Sequence, residues 1–319
     1  MCSGCSESGS TEARSSTSPS EASATPEPTT AYAPYVSATT AGDSDSSGTP
    51  SAYNVAFAVA DGSDCTPVWG GTTDVDDAAV KSRIAKLKSS GGTVRVSFGG
   101  AAGKELALTC DSASELADAY AEVLDATGAS EADFDIEGDA LTDSASVARR
   151  SEAIALLQKK RDLKATFTLP VMPSGLDADS VALLESANDH DARVSTVNIM
   201  AMNYGTSFTG DMGDYAITSA TKAHAQIKKA FGLSDRNAWK GLAVTAMIGV
   251  NDVKGETFTL ADAARLRSYG EKKGLAWVSM WASFRDRQCP DGTSTAKAQD
   301  SCSGVEQEPG AFAKTLSAP

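Results

Sequence analysis

Histidine is scarce in this chain: two occur in 319 residues, His190 and His224, and no Cys/His grouping has the make-up of a zinc site. Zinc chemistry is thereby set aside. Basic residues are also few, 28 Lys and Arg against 42 Asp and Glu, a formal charge of −14. That balance argues against a nucleic-acid backbone or an anionic membrane surface as partner, and favours a neutral or cationic substrate. No apolar run approaches the ~20 residues that a bilayer-crossing helix needs. Hydrophobic residues still make up 41% of the chain, which is long enough to bury the core of one barrel-sized domain or two small ones.

The first thirty positions lack aromatic residues and almost all large aliphatic ones, being dominated by Ser, Thr, Glu, Ala and Pro. Such a segment cannot bury enough surface to offset its ordering entropy, so 1–30 is expected to be a disordered linker and 31–319 the folded domain. No basic and apolar leader precedes it, and an export signal is therefore expected to have been removed. Cys2 is placed where a lipid-attachment signal could have ended. The six cysteines, Cys2, Cys5, Cys65, Cys110, Cys289 and Cys302, form an even set, which suggests disulfides in an exported protein. Loop-like flanks favour pairing Cys65 with Cys110 and Cys289 with Cys302; the alternative is scattered reduced thiols.

From Ala31 onward, short apolar runs alternate with helical patterns. Candidate strands are Tyr35–Ala38, Asn54–Ala60, Thr93–Phe98, Ala132–Glu137, Lys164–Val171, Thr196–Tyr204, Leu242–Ile248 and Ala276–Trp281. Between most of them, apolar residues recur at three- and four-residue spacing, as in Ser112–Ala126, Val147–Lys160, Ser180–Asn188, Ser219–Phe231 and Leu260–Lys273. Eight strands alternating with helices predict an α/β fold, the (β/α)8 TIM barrel. Residues 39–52 are rich in Gly, Ser and Asp without helical periodicity, so the first outer helix is expected to be missing.

The stretch Ser130-Glu-Ala-Asp-Phe-Asp-Ile-Glu-Gly138 places Asp133, Asp135 and Glu137 in alternation with Phe134 and Ile136. On a strand, the three carboxyl groups share one face. Like charges held so close cannot all ionise freely, and a carboxyl still protonated near neutral pH can act as a general acid. The alternatives are a solvated edge strand and a calcium loop, though the latter would be richer in Gly and Asn. In a barrel the active site lies at the C-terminal strand ends. Ser97-Phe-Gly-Gly100, Met202-Asn-Tyr204 and Trp281 mark three further ends there.

These residues resemble glycoside hydrolase family 18, the chitinase family, over most of 31–319. The family pattern DxxDxDxE looks like Ser130-x-x-Asp133-x-Asp135-x-Glu137, SxGG like Ser97 to Gly100, MxY like Met202-Asn-Tyr204, and the closing Trp like Trp281. FDIEG, VSFGGAAG and VNIMAMNYG are similar to a bacterial and archaeal branch. The resemblance implies retaining hydrolysis of β-1,4-linked N-acetylglucosamine polymers, assisted by the substrate's own acetamido group. In that scheme Glu137 is general acid and base, Asp135 partners the acetamido nitrogen and Asp133 tunes Asp135. Tyr204 binds the acetamido carbonyl, Trp281 is the sugar's floor, Met202 lines the pocket and Ser97 sets the strand end beside it. No metal or cofactor is required. Chitin or chitooligosaccharides are the expected partners of a secreted, monomeric enzyme.

Two departures stand out. Ser130 replaces the outer acid, and Gly205 follows Tyr204 where many members carry an acid, with Asp252 a substitute for it. The 6% aromatic content leaves no long aromatic track, which predicts a short, non-processive, endo-acting cleft. Two other readings remain: an endo-β-N-acetylglucosaminidase acting on glycoprotein glycans, and a sugar-binding lectin without turnover.

Overall fold

Pro34 splits the first strand, and the split closes the ring. Strand β1 runs in two pieces, Ala31–Tyr32 and Tyr35–Ser37. A proline has no N–H to give to a ladder, so the chain changes partners there. The first piece pairs with β8, Trp277–Trp281, in the register Ala31↔Trp277. The second pairs with β2, Ala52–Ala60, in the register Tyr35↔Asn54. Between β2 and β8 lie β3 (Thr93–Gly99), β4 (Glu131–Asp135), β5 (Lys164–Pro170), β6 (Val194–Ala201) and β7 (Leu242–Met247), each parallel to the next. The result is the expected (β/α)8 barrel.

These features belong to a computed structural model that describes residues 1, 2, 4 and 30–318. The expected linker, 1–30, lies outside those residues apart from its ends. Thr30 belongs to the barrel, since its buried carbonyl accepts from Arg267 Nη1 at 2.7 Å.

Among the described residues, seven helices of two turns or more follow the strands on the outside: α1 (Ala78–Ser89), α2 (Ala113–Thr127), α3 (Ser144–Lys160), α4 (Ala178–Asp189), α5 (Met212–Ala230), α6 (Leu260–Lys273) and α7 (Ala311–Ser317). The starts of the first six are set by side-chain caps, whereas α7 begins after Gly310 without one. Ser112 Oγ accepts the Glu115 N–H, and Thr259 with Asp262 forms a reciprocal capping box. The β1–β2 connection has turns and no helix, as expected. Asp45 holds it instead, accepting from Gly42 N at 2.7 Å and Ser283 Oγ at 2.6 Å and pairing with Arg83 at 2.8 Å.

Strand alternation divides the core. Outward residues pack under the helices, as where Phe98 meets Tyr120 at 4.7 Å and Phe134 at 5.5 Å between ring centroids. Each such buried ring contributes about 1.5–3 kcal/mol by area. Many inward residues are polar, among them Arg95, Ser97, Asp133, Thr168 and Asn198. At the bottom, Arg95 donates to Asn54 Oδ1 at 2.7 Å, pairs with Glu131 at 2.9 Å and lies 4.0 Å from the Trp277 ring centroid.

Disulfides join Cys65 to Cys110 and Cys289 to Cys302, the expected pairs. Cys2 is free and exposed, and Cys5 lies outside the described residues. Among the described residues no helix is long and apolar enough to cross a membrane.

Candidate active site

Strand β4 ends at Asp135, two residues short of the sequence expectation, because Gly138 turns the chain with φ 56°. Its ladder runs slightly further, with Ile136 N donating to Thr168 O at 2.9 Å. The three acids therefore climb one inner face. Asp133 is sealed beneath, 1% exposed, Asp135 is 5% exposed, and Glu137 opens at the mouth.

Asp133 is the best compensated. Its Oδ2 accepts from Tyr35 at 2.8 Å and from Ser97 at 2.5 Å, and its Oδ1 accepts from Thr168 at 2.5 Å. Asn198 donates to Thr168 Oγ1 at 3.0 Å and accepts from Thr245 at 2.9 Å, which extends the network across the barrel. Burial raises the Asp133 pKa, and the three hydroxyl donors pull it back.

Asp135 has no such support. Burial holds its carboxyl well above the usual range, and the charges of Glu137 and Asp133 push it further. Its Oδ1 is buried without a hydrogen-bond partner. Burial also raises Glu137. One proton is thus readily kept between Asp135 and Glu137, where a general acid can deliver it. Among the described residues no group of three or more His, Cys, Asp and Glu is arranged to hold a metal ion.

Above the acids opens a cleft of about 500 Å³, lined by Asp135, Glu137, Tyr35, Phe57, Met202, Asn203, Asp252 and Trp281, among others. Trp281 stacks on Phe57, with centroids 5.5 Å apart and planes 22° apart. Besides Asp133, two residues named from the sequence do not line the cleft. Ser97 is fully buried and acts on Asp133 from below rather than lining the cleft. Tyr204 turns away altogether. Asn203 has φ 54° and Gly205 φ 110°, which breaks the strand alternation after Met202. The Asn203 side chain consequently faces the cleft while Tyr204 packs against Phe208 and Tyr215, its hydroxyl 3.4 Å from Ser219 Oγ.

The chain is 33% identical over 286 residues to a probable bifunctional chitinase/lysozyme of Escherichia coli, covering 82% of this chain and 31% of that one. It is 31% identical over 277 residues to endochitinase 11 of Metarhizium anisopliae, covering 80% of this chain and 52% of the relative. It thus spans between just under a third and about half of the curated relatives that it matches. No family model matches. Among solved structures, active domain 2 of the thermostable Pyrococcus furiosus chitinase, complexed with chito-oligosaccharides, superposes with a TM-score of 0.80 at 27% identity, over 91% of this chain and 94% of that one. The chain belongs to glycoside hydrolase family 18.

Sequence reasoning missed three residues of this family 18 site. Tyr35 both lines the cleft and donates to Asp133, and Phe57 forms one wall with Trp281. Their strands carried no motif, although an aromatic on each of two adjoining strands was a signal. Glu256 was the third. It lies in the β7–α6 connection, 1% exposed, and accepts the Gly205 N–H at 2.9 Å. Asp252, the expected substitute acid, does reach the Asn203 side: Asn203 Nδ2 donates to its Oδ2 at 3.2 Å, and its own N–H donates back to Asn203 Oδ1 at 3.1 Å.

Proposed function

We propose that this protein is a secreted chitinase that hydrolyses β-1,4-N-acetylglucosamine linkages with retention, through an oxazolinium intermediate formed by the substrate's acetamido group. The observation that carries the reading is the unpartnered Asp135 Oδ1 beside Glu137 at the cleft floor. A buried carboxylate oxygen without a donor is costly, and a substrate amide N–H is the donor that would satisfy it.

Glu137 protonates the glycosidic oxygen and later takes a proton from the attacking water. Asp135 accepts the acetamido N–H and orients the carbonyl oxygen toward the anomeric carbon. It also balances the charge of the cyclic intermediate. Asp133, fixed by three hydroxyl groups, sets how strongly Asp135 holds its proton. The Trp281 indole offers an apolar face to the distorted sugar, with Met202 beside it. The polar side chain that faces the cleft after β6 is Asn203, so the contact first given to Tyr204 passes to Asn203 and its partner Asp252.

Tyr35, Phe57 and Trp281 are the aromatic residues lining the cleft, which favours a short, non-processive, endo-acting site. The two disulfides favour export. Parallel incubation with chitooligosaccharides and an N-glycosylated protein, followed by sizing of the products, tests the assignment. Shortened chitooligosaccharides support it. Release of glycans alone would make the protein an endo-β-N-acetylglucosaminidase, and binding without products would make it a lectin.

A further inference from the structure

The turn after β6 holds two left-handed residues within three positions, Asn203 at φ 54° and Gly205 at φ 110°. Such backbone is strained for asparagine and persists only where its surroundings impose it. Successive N–H groups in such a turn form a concavity that suits an anion. A side chain fills that place here. Glu256 Oε1 accepts the Gly205 N–H at 2.9 Å, and the N–H groups of Asn203 and Tyr204 also act on the same carboxylate. Its Oε2 is buried without a close hydrogen-bond partner, so these backbone dipoles are its main compensation. Burial raises its pKa and the three N–H groups lower it.

The same turn fixes the cleft wall. With Asn203 in this conformation, its Oδ1 accepts from the Asp252 and Val253 N–H groups at 3.1 and 3.3 Å, and its Nδ2 donates to Asp252 Oδ2 at 3.2 Å. The loop carrying Glu256 is itself tied, Asn251 N donating to Glu256 O at 3.1 Å and Glu256 N to Val253 O at 3.2 Å. Asn203, Met202 and Asp252 therefore reach the cleft as one surface. Were the turn to relax into ordinary extended backbone, strand alternation would exchange the facings of Asn203 and Tyr204.

We propose that Glu256, which does not line the cleft, is a positioning residue whose carboxylate holds the 203–205 turn so that Asn203 and Asp252 meet the substrate. The inference rests on the chitinase reading above. It is tested by a double-mutant cycle of Glu256→Gln and Asn203→Ala, read as KM for chitooligosaccharide hydrolysis and as Kd for chitotriose binding. Glu256→Gln should raise KM and Kd about tenfold while changing kcat less than threefold. In the Asn203→Ala background the same change should have little further effect, because the side chain that it positions is gone. Additive effects of the two substitutions, or loss of Tm with unaltered KM and Kd, would overturn the proposal and make Glu256 merely structural. If Glu256→Gln does not fold, Gly205→Ala strains the same turn with nothing within 4 Å of the added carbon, and should reproduce both the KM rise and its disappearance. A normal KM in that variant contradicts the proposal equally. A wild-type protein that neither cleaves nor binds chitooligosaccharides overturns the chitinase reading and this inference together; additivity in an active enzyme overturns only the inference.

Discussion

Ser97 donates its hydroxyl hydrogen to Asp133 across 2.5 Å, joining β3 to β4 directly beneath the cleft. Neither residue needs to touch the sugar for the bond to matter. Removing it should raise the Asp133 pKa, because the donor favours the ionised form. Ser97→Ala is expected to cost about 1.5–3 kcal/mol of stability, the range for a hydrogen bond to a charged group. It should lower kcat with KM nearly unchanged. Steady-state kinetics with a chitooligosaccharide and a thermal melt check both parts, and a change confined to KM would place Ser97 in the cleft after all.

Asp135 gives a stability prediction with a definite sign. Its folded pKa is raised, so the native state holds a proton that the unfolded chain has already released. Stability is consequently lost as pH rises from the unfolded pKa through the folded one, and the loss is absent in more acidic solution. Asp135→Asn removes the penalty. The variant should melt several degrees above the wild type at neutral pH, at about 2–4 °C per kcal/mol recovered. The difference should shrink towards zero near pH 4, while activity falls severely at every pH.

Tyr204 and Asn203 are adjacent but face opposite ways, so their substitutions should separate. Tyr204→Phe removes only a hydroxyl 3.4 Å from Ser219 and should leave kcat/KM within about twofold, less than half a kcal/mol. Asn203→Ala should lower kcat/KM at least tenfold. A reversed order would restore the role expected for Tyr204 from the sequence.

How much of this was legible in the residues differs from place to place. Asp133, Asp135 and Glu137 could be read because a strand has a period of two and Gly138 marks its end. The missing first helix could be read because 39–52 has no apolar period. Helix α1 was overlooked: Val80, Ile84 and Leu87 are its buried stripe, but lysines and small residues dilute it. The exchange of Asn203 for Tyr204 was hidden, since one residue with positive φ overturns every facing argument beyond it. Glu256 was less legible still. Its partner is a backbone N–H 51 residues away, and backbone donors leave no trace in a sequence.

The disulfides close loops of 45 and 13 residues. Chain entropy assigns them about 4 and about 3 kcal/mol respectively. Reduction should therefore lower the melting temperature markedly, with Cys110→Ser costing more than Cys302→Ser. Asp133, Asp135 and Glu137 lie on β4 or just past its end and outside these loops, so activity at low temperature should survive reduction better than thermal stability does.

The central claim is that Glu137 passes the proton to and from the glycosidic bond while the substrate supplies the nucleophile. The direct measurement is chitooligosaccharide turnover by Glu137→Gln, set beside its binding of the same sugar by calorimetry. The account predicts a loss in kcat of at least a thousandfold, with Kd within a few-fold of the wild type. Turnover within tenfold of the wild type, at unchanged affinity, would contradict it.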